Sequence, residues 1–234
     1  MTEAPSLFAG QWLHLGFAAV VLPLLMLPKS PLYMDPAPAT WLGLPLSSWF
    51  RVAMLVPVVH TAFVWLCWRL ELRYAAISRA VGAKTYYHTF FLLMGLRFLS
   101  LLLLAIADHD SVPIPYWLRG AIAAPVAAVA GLTVHDVVKL WGPTLYKSLV
   151  RASGADHFDP SFRTKPLVAQ GVFGYVPNAM YACGVQALWL FGLLAASRLA
   201  LACAAFQVAH IWAHYFGTER IDMEYIYRKS EKKA

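Results

Sequence analysis

Long apolar runs alternate with short polar segments along most of the chain. A helix needs about 20 mostly apolar residues to cross the hydrocarbon core of a bilayer. Six stretches reach or approach that length, at 8–27, 50–68, 88–107, 116–138, 180–196 and 199–215. Only Ser197 and Arg198 separate the last two, which predicts a tight helical hairpin. The pattern therefore predicts an all-α, polytopic membrane protein with about six transmembrane helices.

The same pattern divides one integral membrane domain, 1–234, into three parts. Residues 1–138 form a four-helix N-terminal part, and 139–179 form a long interfacial loop. Residues 180–234 form the hairpin and a basic C-terminal tail at the interface. Within the loop, segment 145–151 mixes apolar and basic residues, which predicts a helix lying on the membrane surface. Long loops in compact chains are usually functional, so this loop is a candidate part of a site.

The composition agrees with a membrane protein and excludes several other classes. Hydrophobic residues make up 60% of the chain and charged residues 13%, against about 45–50% and 25% in soluble domains. The mean hydropathy is +0.58, which excludes a disordered or collagen-like chain. The three cysteines, Cys67, Cys183 and Cys203, form no C-x-x-C pair. The cysteines therefore indicate neither a disulfide framework nor a zinc site.

The net charge of +7, from 19 basic and 12 acidic residues, is explained by orientation. With six spans, fourteen basic residues fall in 69–84, in 139–165 and in the C-terminal tail, all on one side of the membrane. Four fall on the opposite side, and only Arg97 lies within a span. This asymmetry obeys the positive-inside rule and places both termini on the cytoplasmic or matrix side. Endoplasmic reticulum, mitochondrial inner membrane and bacterial inner membrane all fit, and no nucleic-acid partner is indicated.

Polar residues inside the membrane are costly and mark candidate sites. Arg97 either pairs with a carboxylate on a neighbouring helix or holds a lipid phosphate, and Arg151 is a second candidate for binding anionic headgroups. His135 and Asp136 form either a proton shuttle or an interhelical hydrogen bond. The next pair, His210 and His214, lies four residues apart on one helix face, as metal ligands or as interfacial histidines.

The segments that flank the predicted hairpin carry a resemblance to a known family. Asn178, Met180 and Tyr181 precede the hairpin, Glu219 follows it, and a Tyr-containing basic helix begins near 224. This layout resembles the phospholipid N-methyltransferases, relatives of the isoprenylcysteine carboxyl methyltransferases. In that family an Asn-Pro-Met-Tyr or Arg-His-Pro-x-Tyr element enters a two-helix hairpin, which paired glutamates and a short basic tail follow. The resemblance covers about 60 residues.

The resemblance implies an S-adenosylmethionine site near the inner interface. Glu219 would hydrogen-bond the adenosyl moiety or pair with the ammonium group, and Asn178 and Tyr181 would line the pocket. The acceptor would be the amine of phosphatidylethanolamine, entering laterally from the bilayer. His214 or Glu219 would take the proton of that amine, because only the neutral nitrogen is a nucleophile. Catalysis would come mainly from positioning and desolvation.

The chain also departs from the family pattern, which favours an alternative. Thr218 stands where the family has its first glutamate, and Ala179 stands where it has proline. The glycine-rich element is replaced by Ser148, Arg151 and Ala155, with Gly154 displaced. The alternative is a catalytically degenerate relative that binds the cofactor weakly or not at all. It would serve as a structural, lipid-binding subunit beside other membrane proteins, for example in a respiratory complex of the mitochondrial inner membrane.

A small transporter or channel is a third, unrelated possibility. The last two spans show no broken-helix pair in the sequence, which argues against it.

Overall fold

Four helices of the structure are long and apolar enough to cross a membrane. The computed structural model describes residues 3–163 and 168–231, and helices dominate this part of the chain. The four are α2 (Leu46–Tyr74), α4 (Ala83–Ala107), α5 (Tyr116–Leu140) and the continuous run Arg198–Tyr227. Just before α2, the two-residue strands β1 (Thr40–Trp41) and β2 (Leu44–Pro45) pair antiparallel. The expectation of a helical membrane protein is confirmed at this level.

The other two predicted spans are shorter helices. The first, α1 (Trp12–Met26), has 15 residues and is about 22 Å long. The segment Ala179–Ala195 is divided into α9 (Ala179–Ala182), a 3₁₀ turn (Gly184–Gln186) and α10 (Ala187–Ala195). The predicted span 180–196 is therefore interrupted, whereas the run that contains the predicted span 199–215 is continuous. Hydropathy predicts the length of an apolar segment, but it does not predict whether its backbone forms one continuous helix.

Helix α2 extends well beyond its predicted span, 50–68. Its apolar run ends at Trp68, but Arg69 and Glu71 continue the helix because both side chains are buried and find partners. Assigning Arg69 to an exposed basic loop was wrong: its side chain is fully buried against Asp222. After α2, the short helix α3 (Ala76–Ala80) leads into α4.

The described parts of the long loop, 139–163 and 168–179, consist mainly of short helical elements. They contain α6 (Leu145–Ala152), a 3₁₀ turn (Ala155–His157), α7 (Pro160–Arg163) and α8 (Val172–Tyr175). The predicted helix at 145–151 is confirmed as α6, which begins where the Thr144 hydroxyl accepts a hydrogen bond from the Lys147 amide at 3.3 Å. Of the basic residues assigned to the inner side, Lys165, Lys232 and Lys233 lie outside the described residues.

The junction after α10 is fixed by a buried carboxylate. Ala196 and Ser197 separate α10 from α11 (Arg198–His214), so Arg198 belongs to the helix and not to the turn. Asp108 Oδ2 accepts hydrogen bonds from the Ser197 hydroxyl at 2.7 Å and the Leu199 amide at 2.9 Å. This links the end of α4 to the start of α11, and α2, α4, α10 and α11 enclose the larger apolar core.

A π-helical turn, Tyr215–Glu219, joins α11 to α12 (Arg220–Glu231). Such turns inside helices are frequent at functional sites, because they shift the face that the following side chains occupy. The start of α1 packs against this turn so closely that a Cβ at Gly10 would meet the backbone of Gly217. This contact positions α1 beside the residues that follow α11.

Candidate functional site

One cavity of about 550 Å³ lies between α2, α4, α6, α9 and the helical run that ends in α12. Its volume is within the range of about 300–1,000 Å³ that small-molecule sites occupy. All six residues singled out in the sequence as catalytic, cofactor-binding or lipid-binding line this cavity: Arg97, Arg151, Asn178, Tyr181, His214 and Glu219. The fold therefore gathers side chains that are up to 122 residues apart in the chain.

Glu219 and Tyr181 form one unit on the cavity wall. The Tyr181 hydroxyl donates a hydrogen bond to Glu219 Oε2. The Tyr181 ring packs against Tyr215 at a centroid distance of 4.9 Å and against Trp212 at 5.7 Å. The wall thus combines a carboxylate of fixed orientation with aromatic rings, a combination that suits a cationic ligand.

Asn178 sets the geometry at the entrance of the broken segment. Its backbone is left-handed, with φ 53° and ψ 44°, and it stands immediately before α9. Asn adopts this conformation more readily than most residues, which gives a local reason for its presence. Ala179, at the position of the family's proline, is fully buried. The sequence element that carries the resemblance is therefore a turn on the cavity wall.

The two histidines at helical spacing have different environments. His214 lines the cavity, and its Nδ1 has no hydrogen-bond partner within residues 3–163 and 168–231. His210 is stacked on Phe206 at a centroid distance of 5.4 Å and does not line the cavity. Among the described residues, no group of three or more His, Cys, Asp or Glu side chains could hold a metal ion. His214 is thus the member of the pair that a ligand in the cavity would meet.

Gly154 is a glycine of the cavity wall. Its φ is +87°, and a Cβ there would overlap the indole of Trp68. Trp68 is held in place, because its ring stacks on His157 at 4.1 Å and its Nε1 donates to the Tyr86 hydroxyl at 2.7 Å. Both Gly154 and Trp68 line the cavity, so this displaced glycine permits a close approach of backbone to the aromatic wall.

The residues that the resemblance aligns with the family's glycines and first glutamate have other environments. The Ser148 hydroxyl donates to the Val138 carbonyl at 3.1 Å, which ties α6 to the end of α5. Arg151 lines the cavity with its guanidinium 6.0 Å from the centre of the Trp141 ring. Thr218 does not line the cavity; it is fully buried and exchanges hydrogen bonds with the Gln11 amide at 3.1 and 3.2 Å.

A buried charge network next to the cavity was missed in the sequence. Arg69 Nε lies 2.8 Å from Asp222 Oδ1, and His157 Nε2 lies 3.3 Å from Asp222 Oδ2, with all three side chains fully buried. Beside it, Asp156 lines the cavity; burial raises its pKa, and electrostatic interactions with His157 and Arg151 oppose that shift. The one available signal was Arg69 itself, which follows the apolar run of α2 without an interruption.

His135 and Asp136 lie away from the cavity. Asp136 Oδ2 accepts a hydrogen bond from the Val172 amide at 2.7 Å, and its Oδ1 lies 3.0 Å from His135 Nδ1. Asp136 therefore holds α8 against the end of α5. Of the two interpretations made from the sequence, the hydrogen bond is observed, but it runs to a loop and not to another transmembrane helix.

Arg97 is buried and lines the cavity, and its side chain is held by Gln207 through a hydrogen bond of 2.7 Å. No carboxylate of the described residues pairs with it, so the first of its two sequence-based interpretations does not hold there. The cavity thus offers a carboxylate, aromatic rings and unpaired polar groups inside a helical membrane protein.

Comparison with known proteins adds no relative: no protein-family model, curated protein or solved structure matches this chain significantly.

Proposed function

We propose that the protein is an integral membrane methyltransferase that transfers a methyl group from S-adenosylmethionine to the amine of a phosphatidylethanolamine-type lipid. The observation that carries this proposal is the convergence of Asn178, Tyr181, His214 and Glu219 on one cavity. Three of them also carry the resemblance to the phospholipid N-methyltransferases. The fourth, His214, is the proposed base.

The cavity lining fits the chemical groups of this cofactor. The Glu219 carboxylate, oriented by Tyr181, and the neighbouring Tyr215 ring suit a sulfonium and an ammonium group. Arg151 and Arg220 also line the cavity and suit a carboxylate. When bound, the cofactor supplies a methyl group on a positively charged sulfur. The chain's own contribution is to orient both reactants and to exclude water.

His214 would accept the proton that an ammonium group must lose before it can react. It is 7% exposed, it lines the cavity, and its Nδ1 has no partner in the described part of the chain. A general base needs to be within hydrogen-bond reach of the proton it takes. An amine that enters the cavity beside Glu219 is one π-helical turn away from His214, because the two positions lie five residues apart across the π-helical turn.

We also propose the membrane topology that the charges predict, with six passages and both termini on the inner side. Glu3 and Lys29 flank α1, and Tyr175 and Arg198 flank the broken segment; all four are exposed. Single cysteines at these positions, with the three native cysteines replaced by alanine, are to be labelled with a membrane-impermeant maleimide. Positions 29 and 198 are expected to react from outside, and positions 3 and 175 only after permeabilisation. Labelling of 3 and 29 from the same side would show that α1 does not cross.

Calorimetric titration of the purified full chain in nanodiscs tests the function. We expect saturable binding of S-adenosylmethionine at one site. Glu219→Gln is expected to weaken it at least about tenfold, because hydrogen bonds to a charged group contribute about 1.5–3 kcal/mol. Nanodiscs that contain phosphatidylethanolamine should then yield methylated lipid from methyl-labelled cofactor.

Glu71→Gln is the matched control for that titration. Glu71 is a buried glutamate, whereas Glu219 is partly buried, and the Glu71 carboxylate accepts from the Ser78 amide at 2.9 Å and does not line the cavity. Cofactor binding by this variant should equal that of the native protein. The proposal fails if the native chain shows no saturable binding and produces no labelled lipid.

The second candidate function is the degenerate, lipid-binding subunit of a larger membrane complex. The burial of Thr218 against Gln11 favours it, because the position of the family's first glutamate here serves packing between α1 and the π-helical turn. On this alternative, the same titration shows no binding. The protein would instead co-purify with other membrane proteins in fixed stoichiometry.

A further inference from the structure

Arg97 is a buried cation whose charge is not neutralised within the described part of the chain. Its side chain is 3% exposed and lines the cavity. Nε donates to Gln207 Oε1 at 2.7 Å, and Nη2 donates to the Gln207 carbonyl at 3.5 Å. A guanidinium carries five N–H donors and stays protonated in proteins. These two bonds to a neutral amide leave both charge and donors to be matched by another group.

His60 is a second buried polar group on the same wall. It is 3% exposed and lines the cavity, and neither ring nitrogen has a hydrogen-bond partner among the described residues. Its ring meets the Phe90 ring edge-on at a centroid distance of 4.9 Å. Leaving buried donors and acceptors unpaired is costly. Two such groups on one cavity wall indicate a ligand that supplies acceptor oxygens there.

These groups lie deep along the helices, away from Glu219. Arg97 is ten residues from the end of α4, and Gln207 is nine residues from the start of α11, which places both about 14–15 Å from those ends. Glu219 lies twelve residues further along the run from Gln207. The cavity therefore has a deep end at Arg97. Long helical side chains lean toward the helix N-terminus, which directs the Arg97 guanidinium from this deep end toward the Glu219 end.

We propose that the deep end of the cavity is an oxyanion subsite, in which Arg97 and His60 bind the phosphate or carboxylate of an amphiphilic ligand. Gln207 fixes the orientation of the guanidinium. Phe90 and Met94 also line the cavity and provide an apolar surface for a hydrocarbon chain. A single buried guanidinium binds either oxyanion through paired N–H donors. The neutral surroundings strengthen this attraction because little water screens it.

This subsite deepens the proposed function. Only the assignment of the subsite to the methyl acceptor rests on that function. An acceptor phospholipid would place its phosphate at Arg97 and its amine toward His214. Anion binding itself requires neither the cofactor nor methyl transfer. Failure of the cofactor titration therefore leaves the subsite intact, and failure of anion binding leaves the cofactor site intact.

The test uses the full chain in neutral-detergent micelles without S-adenosylmethionine. Dodecyl phosphate, dodecanoate, dodecanol and inorganic phosphate are each titrated, with tryptophan fluorescence or calorimetry as the readout. We expect both anionic amphiphiles to bind at least about tenfold more tightly than dodecanol and than inorganic phosphate. Arg97→Gln is expected to weaken binding of dodecyl phosphate about 10- to 100-fold. Arg97→Lys, which keeps the cation, should lose less.

Arg119→Gln is the matched control, because Arg119 is also buried but donates to the Ile114 carbonyl at 2.8 Å and pairs with Asp110 away from the cavity. Its affinity for dodecyl phosphate should equal that of the native chain. If Arg97→Gln does not fold, His60→Asn should still weaken binding. Equal affinity for dodecanol and dodecyl phosphate, or equal losses in the Arg97 and Arg119 variants, would overturn the proposal. If inorganic phosphate binds more tightly than dodecyl phosphate, the ligand of this subsite is not an amphiphile.

Discussion

Replacing Asp222 by alanine is expected to lower the free energy of unfolding by about 3–5 kcal/mol. The Asp222 carboxylate is fully buried between Arg69, at 2.8 Å, and His157, at 3.3 Å. Without it, the Arg69 guanidinium keeps its hydrogen bond to the Ser6 carbonyl but stays buried without a counter-charge. That uncompensated charge costs more than the ion pair contributes, since its hydration is not restored. Denaturation of the purified protein in detergent micelles measures the difference.

An exposed ion pair on the same helix gives the control for this prediction. Arg220 Nε lies 3.3 Å from Glu224 Oε1, and both side chains are about half exposed. Arg220→Ala is expected to change the free energy of unfolding by no more than about 1 kcal/mol. A double variant with Arg69→Met and Asp222→Leu should recover part of the loss seen with Asp222→Ala, because it removes both charges. Equal losses for the Asp222 and Arg220 variants would contradict the role given to burial.

The same network shapes the cavity wall. Asp222 follows Glu219 by three residues on the helical run, and His157 lies under the Trp68 ring at 4.1 Å. The network thus joins α2, the 3₁₀ turn at Ala155–His157 and α12 behind residues that line the cavity. The same contacts therefore stabilise the protein and position the residues of the cavity wall. Any ligand of the cavity depends on side chains that this buried charge cluster holds in place.

Hydropathy alone could predict the long helices but not where helices end or break. Helices α2, α4 and α5 have 25 to 29 residues, more than the about 20 that a bilayer crossing needs, and their apolar runs are long enough to be recognised in the sequence. The true end of α2 lies beyond Arg69, because a partner distant in sequence, Asp222, satisfies that charge. The break between α9 and α10 could not be predicted from hydropathy, because a turn of the backbone does not change the apolar composition of the segment.

The candidate site could be predicted where the signal is local. Asn178 and Tyr181 stand together in one short element, and Arg97 is a single charge in an apolar run. Trp68 could not be found in this way, because a tryptophan is an ordinary residue of an apolar helix. His60 carries a local signal, as a polar residue within the predicted span 50–68, but that signal does not show that it lines a cavity. Their roles depend on the surrounding structure. The His60 ring nitrogens have no hydrogen-bond partner among the described residues, and Trp68 packs against Gly154.

Replacing Gly154 by alanine is expected to destabilise the protein by about 2–6 kcal/mol. A Cβ in the left-handed region costs about 1–3 kcal/mol, and φ at Gly154 is +87°. The same Cβ would overlap the Trp68 indole, and overpacking a close-packed core costs about 1–3 kcal/mol more. Two contacts hold Trp68 against such a movement, because His157 stacks on its face and Tyr86 accepts its indole N–H.

Gly43→Ala separates the two costs, since Gly43 has nearly the same φ of +75° but nothing within 4 Å of an added Cβ. It should show the backbone strain alone, and the excess loss in Gly154→Ala measures the collision. Combining Gly154→Ala with Trp68→Phe should cost less than the sum of the single variants, because the smaller ring makes room. Ligand binding in the cavity should fall with Gly154→Ala and not with Gly43→Ala. If the two alanine variants lose equal stability, close approach to the aromatic wall is not the reason for glycine at this position.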